Sequence, residues 1–530
     1  MKRNFRPLYL SLAFAFALAS CGTQKMVSTP VENIDNLPLK TTPVAENDLK
    51  RWSHLDLVKD TIPGMSVDKA YKELIKGKKG KKVIVGIVDS GVDINHEDLK
   101  AVIWTNPKEI AGNGIDDDKN GYIDDIHGWN FLGDAVHEQL EMTRIVKKGP
   151  GTPDYDKAKV QLEEELKGIQ PQKQQLDFIL NAEKTVATFL KKSDFTLEEV
   201  KAIQSDETGV KQAKAMFTQI LSKSTKAEFD AQIEEFKDYV YGQINYNLNV
   251  EFDGRKIVGD NPNDLNDTKY GNNNVVGPEP KEAKHGTHVA GIVAQVRGNN
   301  FGGDGVTNNA QILTVRAVPN GDEYDKDIAL GIRYAVDNGA KVINGSFGKY
   351  YSQQKEWVID AIKYAESKDV LVVIAAGNES FDLDVTNKYP NDTYDGSPEF
   401  AKNVLIIGAL SPAYGSKMIA DFSNYGKNNV DIYAPGDEIY ATTPLNTYEY
   451  LQGTSMASPN VAGVATLIRS YYPSLTAVQV KQIIMESGTP LKNTVTIGED
   501  KHKANFADAS KSGRIVNAYN ALVLAAKMAK

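Results

Sequence analysis

The sequence predicts an α/β fold with a mainly parallel central sheet flanked by helices, and two patterns carry that prediction. The first is a series of short apolar runs rich in β-branched residues, as expected of strands buried on both faces. The second is the alternation of those runs with stretches of helical length, which calls for crossover connections between parallel strands. A long polar interval that breaks this rhythm, at 136–248, reads as a helical subdomain inserted into the fold.

In chain order, Val83-Ile84-Val85-Gly86-Ile87-Val88 is the first strand, ending at Asp89. Ile312-Leu313-Thr314-Val315 is the next. A helix follows over 325–338, closed by Gly339, a residue suited to ending a helix. Lys341-Val342-Ile343-Asn344 reads as a strand, 356–367 as a helix, and Val370-Leu371-Val372-Val373-Ile374 and Val404-Leu405-Ile406-Ile407 as strands. A helix over 514–528 closes the series. Within 136–248, Lys, Glu and Gln dominate and apolar residues recur at helical spacing. Thr196-Leu197-Glu198-Glu199 and Thr225-Lys226-Ala227-Glu228 each fit a capping box. We expect two to four amphipathic helices there, either a solvated appendage or a lid or docking arm.

The 530 residues, 41% hydrophobic, suffice for one large domain or two to three smaller ones with real cores. A net charge of −9 and the lack of a basic stripe argue against nucleic acid as a partner. The single cysteine forbids an intramolecular disulfide. It stands at a telling place. Lys2, Arg3 and Arg6 form a basic start, 8–19 is apolar but too short to span a bilayer, and Leu18-Ala19-Ser20-Cys21-Gly22 follows. This resembles a bacterial lipobox, which implies export to the cell envelope and a lipid anchor to the membrane on Cys21. An ordinary secretory signal, with Cys21 incidental, is the plainer reading. The expected organisation is a signal peptide over 1–20, a polar tether over 21–50, a main domain over 51–135 and 249–530, and the helical insertion over 136–248.

Three segments carry the chemistry: Asp89-Ser90-Gly91-Val92-Asp93 at a strand end, His285-Gly286-Thr287-His288-Val289-Ala290-Gly291, and Gly453-Thr454-Ser455-Met456-Ala457-Ser458-Pro459. Each alone has a dull reading: a turn-capping aspartate, a structural histidine, and a helix start with Pro459 tolerated in its first turn. Together they fit one mechanism. A serine hydroxyl needs an adjacent base, histidine suits that task near neutral pH, and a buried carboxylate orients the imidazole. Strand ends and helix starts on one edge of a parallel sheet can bring such groups together.

In order and in flanking residues these motifs resemble the subtilisin family of serine peptidases, from about residue 62 to 525 apart from the insertion; the same Asp, His, Ser order is subtilisin's own. The resemblance implies a three-layer subtilisin-like fold and acyl-enzyme hydrolysis of protein or peptide substrates. It makes Asp89 the orienting carboxylate, His285 the base and Ser455 the nucleophile, and it selects His285 over His288, which spacing cannot do. Ala375-Ala376-Gly377-Asn378 resembles the family's oxyanion turn, with Asn378 as donor. Asn344-Gly345-Ser346-Phe347-Gly348 matches the edge strand that pairs with extended substrate, so Ser346, Phe347 and Gly348 are expected to bind it by main-chain pairing. Gly345 stands where the family often has a larger apolar residue, so the neighbouring pocket is expected to differ.

Asp116-Asp117-Asp118-Lys119-Asn120-Gly121-Tyr122-Ile123-Asp124 has oxygen ligands at alternate positions and a glycine sixth, the pattern of a calcium loop. Asp116, Asp118, Asn120, Tyr122 and Asp124 are the expected ligands of a structural Ca²⁺. Position twelve is His127 rather than a bidentate glutamate, so the loop must borrow ligands from elsewhere, with Asp125 a candidate. Asp98 with the Asn299-Asn300 loop is a second candidate. The family usually carries an N-terminal prodomain; about thirty residues separate Cys21 from the main domain, too few for one, and the insertion is a candidate substitute. A catalytically silent, peptide-binding envelope lipoprotein is the alternative function. The sequence sets no oligomeric state.

Overall fold

The computed structural model describes residues 44–529. Cys21, the apolar run over 8–19 and most of the expected tether lie outside the described residues.

Three short helices, α1 (Glu46–Leu49), α2 (Leu57–Asp60) and α3 (Val67–Glu73), precede strand β1 (Val83–Asp89), and β2 (Gly128–Asn130) follows. Five helices come next: α4 (Glu141–Lys148), α5 (Tyr155–Leu190), α6 (Leu197–Ala202), α7 (Thr208–Leu221) and α8 (Lys226–Gly242), closed by a π-turn over Gln243–Asn247. Five exceeds the two to four expected. The additional ones are short: α4 has eight residues and α6 six, lengths at which helical periodicity is barely legible.

After α9 (Arg255–Val258) and α10 (Lys284–Ala294), the chain alternates through β3 (Ala310–Arg316), α11 (Asp325–Asp337), β4 (Val342–Gly345), α12 (Lys355–Ser367) and β5 (Leu371–Ala375), and then passes to β6 (Val404–Leu410) and β7 (Ile432–Pro435) by connections without a helix. A hairpin follows, β8 (Ile439–Thr443) with β9 (Thr447–Leu451), then α13 (Thr454–Tyr471) and α14 (Ala477–Ser487). The short strands β10 (Thr489–Pro490), β11 (Thr494–Ile497), β12 (His502–Asn505) and β13 (Arg514–Ile515) and helix α15 (Ala518–Met528) complete the order. Residues 514–515 were expected to open the last helix. They instead pair antiparallel with β10 and parallel with β7, and Asn517 caps a helix that starts only at Ala518. Local propensity yields here to long-range pairing.

The sheet has nine strands in the order β10-β13-β7-β6-β5-β4-β1-β3-β2, parallel at every step but β10–β13. Its central strands are buried almost throughout. Helices α10 and α13 pack together, and α11 packs on α12, giving the sheet its helical flanks. Strands β5, β4 and β1 are neighbours, so their carboxyl ends form one edge.

The insertion has its own apolar core. On α5, Ala158, Leu162, Ile169 and Leu176 are buried at helical spacing and meet Phe195, Phe217, Phe229 and Val240. Thr196 and Thr225 both close full capping boxes, with Glu199 and Glu228. The ends of the insertion are clipped together: the Asn247 carbonyl accepts from Leu140 N–H at 3.0 Å and from Thr143 Oγ1 at 2.7 Å. Among the described residues, no helix is long and apolar enough to cross a membrane.

Candidate active site

The strand edge collects the residues that the motifs singled out. Asp89 ends β1, Ser346 follows β4 and Asn378 follows β5, while His285 and Ser455 are each the second residue of a helix, α10 and α13. The Asp89 carboxylate, 1% exposed, meets His285 Nδ1 at 2.7 Å across 196 positions of chain. Its Oδ1 also accepts the Ser90 N–H at 2.8 Å. This approach needs glycine at 286: a Cβ there would stand 2.1 Å from the Gly91 carbonyl and 3.1 Å from the Asp89 side chain. Burial opposes a charge on His285, but Asp89, by its charge and its hydrogen bond, outweighs it and holds the imidazole pKa above the usual value.

The two histidines of the motif separate cleanly. The His285 side chain is 39% exposed. His288 is fully buried, its Nε2 lies 3.1 Å from the Glu449 carbonyl, and burial drives its pKa down to about 3. A ring held neutral and enclosed serves packing.

Ser455 Oγ donates to the Ser346 carbonyl at 3.1 Å. Pro459 lies six residues into α13, beyond the first turn where it was expected. There its missing N–H leaves the Ser455 carbonyl without its helical donor. The Ser346 hydroxyl supplies one instead, at 2.8 Å, and itself meets Asn344 Nδ2 at 2.8 Å and Ser458 Oγ at 2.9 Å.

Asn378 is exposed, yet its side chain is fixed. Its Oδ1 accepts from Thr454 N–H at 2.8 Å and Thr454 Oγ1 at 3.0 Å, which leaves Nδ2 as the free donor. The same Thr454 hydroxyl accepts from Gly377 N–H at 2.9 Å.

Asn344 and Gly345 do not lie on an edge strand. They pair with β1 on one side and β5 on the other, so their backbone groups are spent. Only Ser346, Phe347 and Gly348, past the end of the sheet, remain to meet an extended chain; Lys349 then bridges to Tyr389. The Phe347 ring covers Gly345, where a Cβ would stand 3.1 Å from it, and so fills the space of a larger residue. Beneath the segment, the buried Lys388 amine donates to the Phe347 carbonyl at 3.1 Å. Burial lowers its pKa to about 8 against the pull of Glu323 and Glu379. No local signal in the sequence marks Lys388, since its partners are brought to it by the fold.

The acidic loop folds differently from the expected ligand set. Asp118 comes together with Glu109 and Asp125, their oxygens within 4.8 Å of one another. Asp124 is turned to the backbone N–H groups of Gly112, Asn113 and Gly114 at 2.8, 3.2 and 2.8 Å. Asp116 accepts from Asn120 and Gly121 N–H at 3.0 and 2.8 Å. The Tyr122 ring is packed among Trp129, Phe131 and Tyr334, and Asn120 Nδ2 donates to Asp125 at 3.0 Å. The carboxylates of Asp116 and Asp124 are therefore engaged by the loop's own backbone. Glu109 was not foreseen, because it precedes the repeating pattern. The cluster suits a hard cation: Glu109 Oε2 is buried without a partner, and burial raises the Asp125 pKa to about 6 despite donors from Tyr334, Asn120 and Asn106. At the second candidate position, Asp98 accepts from Asn299 Nδ2 at 2.6 Å, and its other oxygen is buried without a partner.

Comparison with known proteins places these features in a family context. The model of the family described as Subtilase family matches residues 80–507. A Thermophilic serine proteinase of Bacillus sp. (strain AK1) is 38% identical over 239 residues, 45% of this chain and 52% of that protein. Subtilisin DY of Bacillus licheniformis is 36% identical over 41% of this chain and 74% of its own length. Thermitase of Thermoactinomyces vulgaris is 41% identical over 35% of this chain and 61% of its own. The chain spans about half the length of the first curated relatives it matches, 52% and 41%.

Proposed function

The chain belongs to the subtilase family, and from that premise we propose that it is a serine endopeptidase that cleaves protein or peptide substrates through an acyl-enzyme. The observation that carries this reading is the 2.7 Å contact of buried Asp89 with half-exposed His285 on the sheet edge that also holds Ser455 and Asn378. Rotation of the Ser455 hydroxyl from the Ser346 carbonyl toward the imidazole begins the reaction; hydrogen bonds of such sites tighten only with substrate bound. Ser455 Oγ attacks the substrate carbonyl carbon and its proton passes to His285 Nε2. Asp89 holds the imidazole tautomer and stabilises the imidazolium. The oxyanion is met by Asn378 Nδ2 and by the Ser455 N–H, a first-turn donor with no intrahelical partner. His285 then protonates the leaving amine, and water repeats the sequence to release the acid. Main-chain groups over 346–348, among which the Ser346 and Phe347 carbonyls already accept from Ser455 Oγ and Lys388 Nζ, supply affinity with little side-chain demand.

We assign a structural Ca²⁺ to Glu109, Asp118 and Asp125, which would neutralise a carboxylate cluster under the sheet end and stabilise the fold by mass action. The lipobox-like segment supports attachment to the bacterial envelope through a lipid on Cys21, with the helical insertion over 136–248 borne on the peptidase domain.

The test is labelling of the purified protein with a fluorophosphonate beside a Ser455→Ala control. Labelling that vanishes in the control is expected. A folded wild-type protein that takes no label, with calcium present, would overturn the assignment in favour of a silent peptide-binding protein.

A further inference from the structure

The three residues after the substrate-binding stretch are gripped from two sides. Lys349, buried, is held by Glu141 of α4 at 2.9 Å and by Asp325 of α11 at 3.0 Å. Tyr351 is buried in the apolar core of the insertion, and its hydroxyl donates to Gln161 of α5 at 2.8 Å. Tyr350 lies between them and reaches the other way. Its hydroxyl donates to the Glu379 carboxylate and accepts from Asn424 Nδ2 at 2.9 Å. Glu379 Oε2 in turn accepts the backbone N–H of Asn378 at 2.8 Å. Asn424, fully buried, ties down the rest of the turn. Its Nδ2 donates to the Ala376 carbonyl at 2.8 Å, and its Oδ1 accepts from Glu379 and Phe381 N–H at 3.1 and 2.8 Å. Gly377 leaves no slack: its φ is +102°, and a Cβ there would meet Asn424 Nδ2 at 2.4 Å and Tyr350 Oη at 3.0 Å.

We propose that Tyr350 is a positioning residue that transmits the placement of the inserted helices to the Asn378 turn, so that the insertion sets the geometry of the oxyanion donor. The proposal rests on the reading of Asn378 as that donor. Thr454 fixes the side chain of Asn378 and Glu379 fixes its backbone. Glu379 and Asn378 are exposed, and the other side-chain donor to Glu379 Oε2 is Asn424 Nδ2 at the longer distance of 3.2 Å, so without Tyr350 the carboxylate is held less firmly against the Asn378 N–H. An oxyanion donor must stand about 2.7–3.1 Å from the charge it stabilises, and misplacement by about 1 Å can cost about 10²-fold.

Tyr350→Phe removes the hydroxyl and keeps the ring that packs on Phe381 at 5.4 Å. On a peptide substrate, kcat is expected to fall about ten-fold with KM within about two-fold, since the contact is used chiefly in the transition state. Gln161→Ala, which removes the hydroxyl contact of Tyr351 with α5, is expected to lower kcat in the same way, and the double variant to lose less than the product of the two. A Tyr350→Phe enzyme with wild-type kcat, a loss confined to KM, or independent effects of the two changes would overturn the proposal. If Tyr350→Phe lowers the melting temperature, Glu379→Gln at the exposed end of the bracket gives the same reading. Wild-type protein that takes no fluorophosphonate would instead sink the peptidase assignment itself, so the two failures are distinct.

Discussion

Replacing Asp89 by Asn tests the electrostatics of the site directly. The carboxylate is buried, and its Oδ1 lies 2.7 Å from His285 Nδ1. With unit charges centred about 4 Å apart at an effective dielectric of about 20, the imidazolium gains about 4 kcal/mol. The ring is 39% exposed, so solvent trims this to about 3 kcal/mol, worth roughly two powers of ten in rate. Loss of the tautomer anchor adds to it, toward the loss of about 10⁴ in kcat seen for the corresponding change in an unrelated Ser-His-Asp protease. Asp89→Asn should therefore lower kcat/KM by about 10²–10⁴. The assay is kcat/KM against pH. With neutral His285 as the proposed base, activity should rise with pH through a value above the ordinary histidine pKa. In the variant, burial acts alone and that acid limb should move down. The same shift has a sign in stability. Folding favours protonated His285, so its contribution is complete below the unfolded value near about 6.5 and is lost as pH rises through the folded value. A loss under ten-fold, or an acid limb that stays in place, would refute the reasoning.

Removing divalent cations with a chelator should lower the melting temperature by several degrees, because a cation at about 100 times its Kd contributes about 2.7 kcal/mol; an unchanged melting curve would remove the ion from the Glu109, Asp118 and Asp125 cluster. Radiolabelled palmitate fed to the producing bacterium should mark the wild-type chain and not Cys21→Ala, and label retained by the variant would show that the cysteine carries no lipid.

What the sequence disclosed and what it withheld divide by range. The strands of the sheet centre were legible because burial on both faces leaves a continuous apolar run such as 83–88 or 404–407. The capping boxes at Thr196 and Thr225 were legible because their partners lie three residues away. Arg514 and Ile515 were misread because nothing local says that β7 and β10 will claim their backbone. The segment 344–348 was read whole as an edge strand, but its division after residue 345 into paired sheet and unpaired chain depends on β1 and β5. The acidic loop showed its turn by its spacing. That Asp118 gathers with Glu109 and Asp125, while Asp116 and Asp124 accept from the loop's own backbone N–H groups, depends on how the loop folds back on residues outside the pattern. Tyr350 and Asn424 gave no sign at all: among the described residues, each side chain hydrogen-bonds only to residues at least 29 positions away.

The hydrogen-bonded seam at Leu140 and Asn247 has a consequence for how such a chain can change over time. A detour of some hundred residues leaves and rejoins the main fold at one seam, so its interior length is almost invisible to the rest of the fold. Doubling a closed loop costs only about 0.6 kcal/mol of chain entropy. Helices could be gained, shortened or exchanged at this junction with the strand order undisturbed, provided the newcomer still offers an acceptor to Tyr351 and a carboxylate to Lys349.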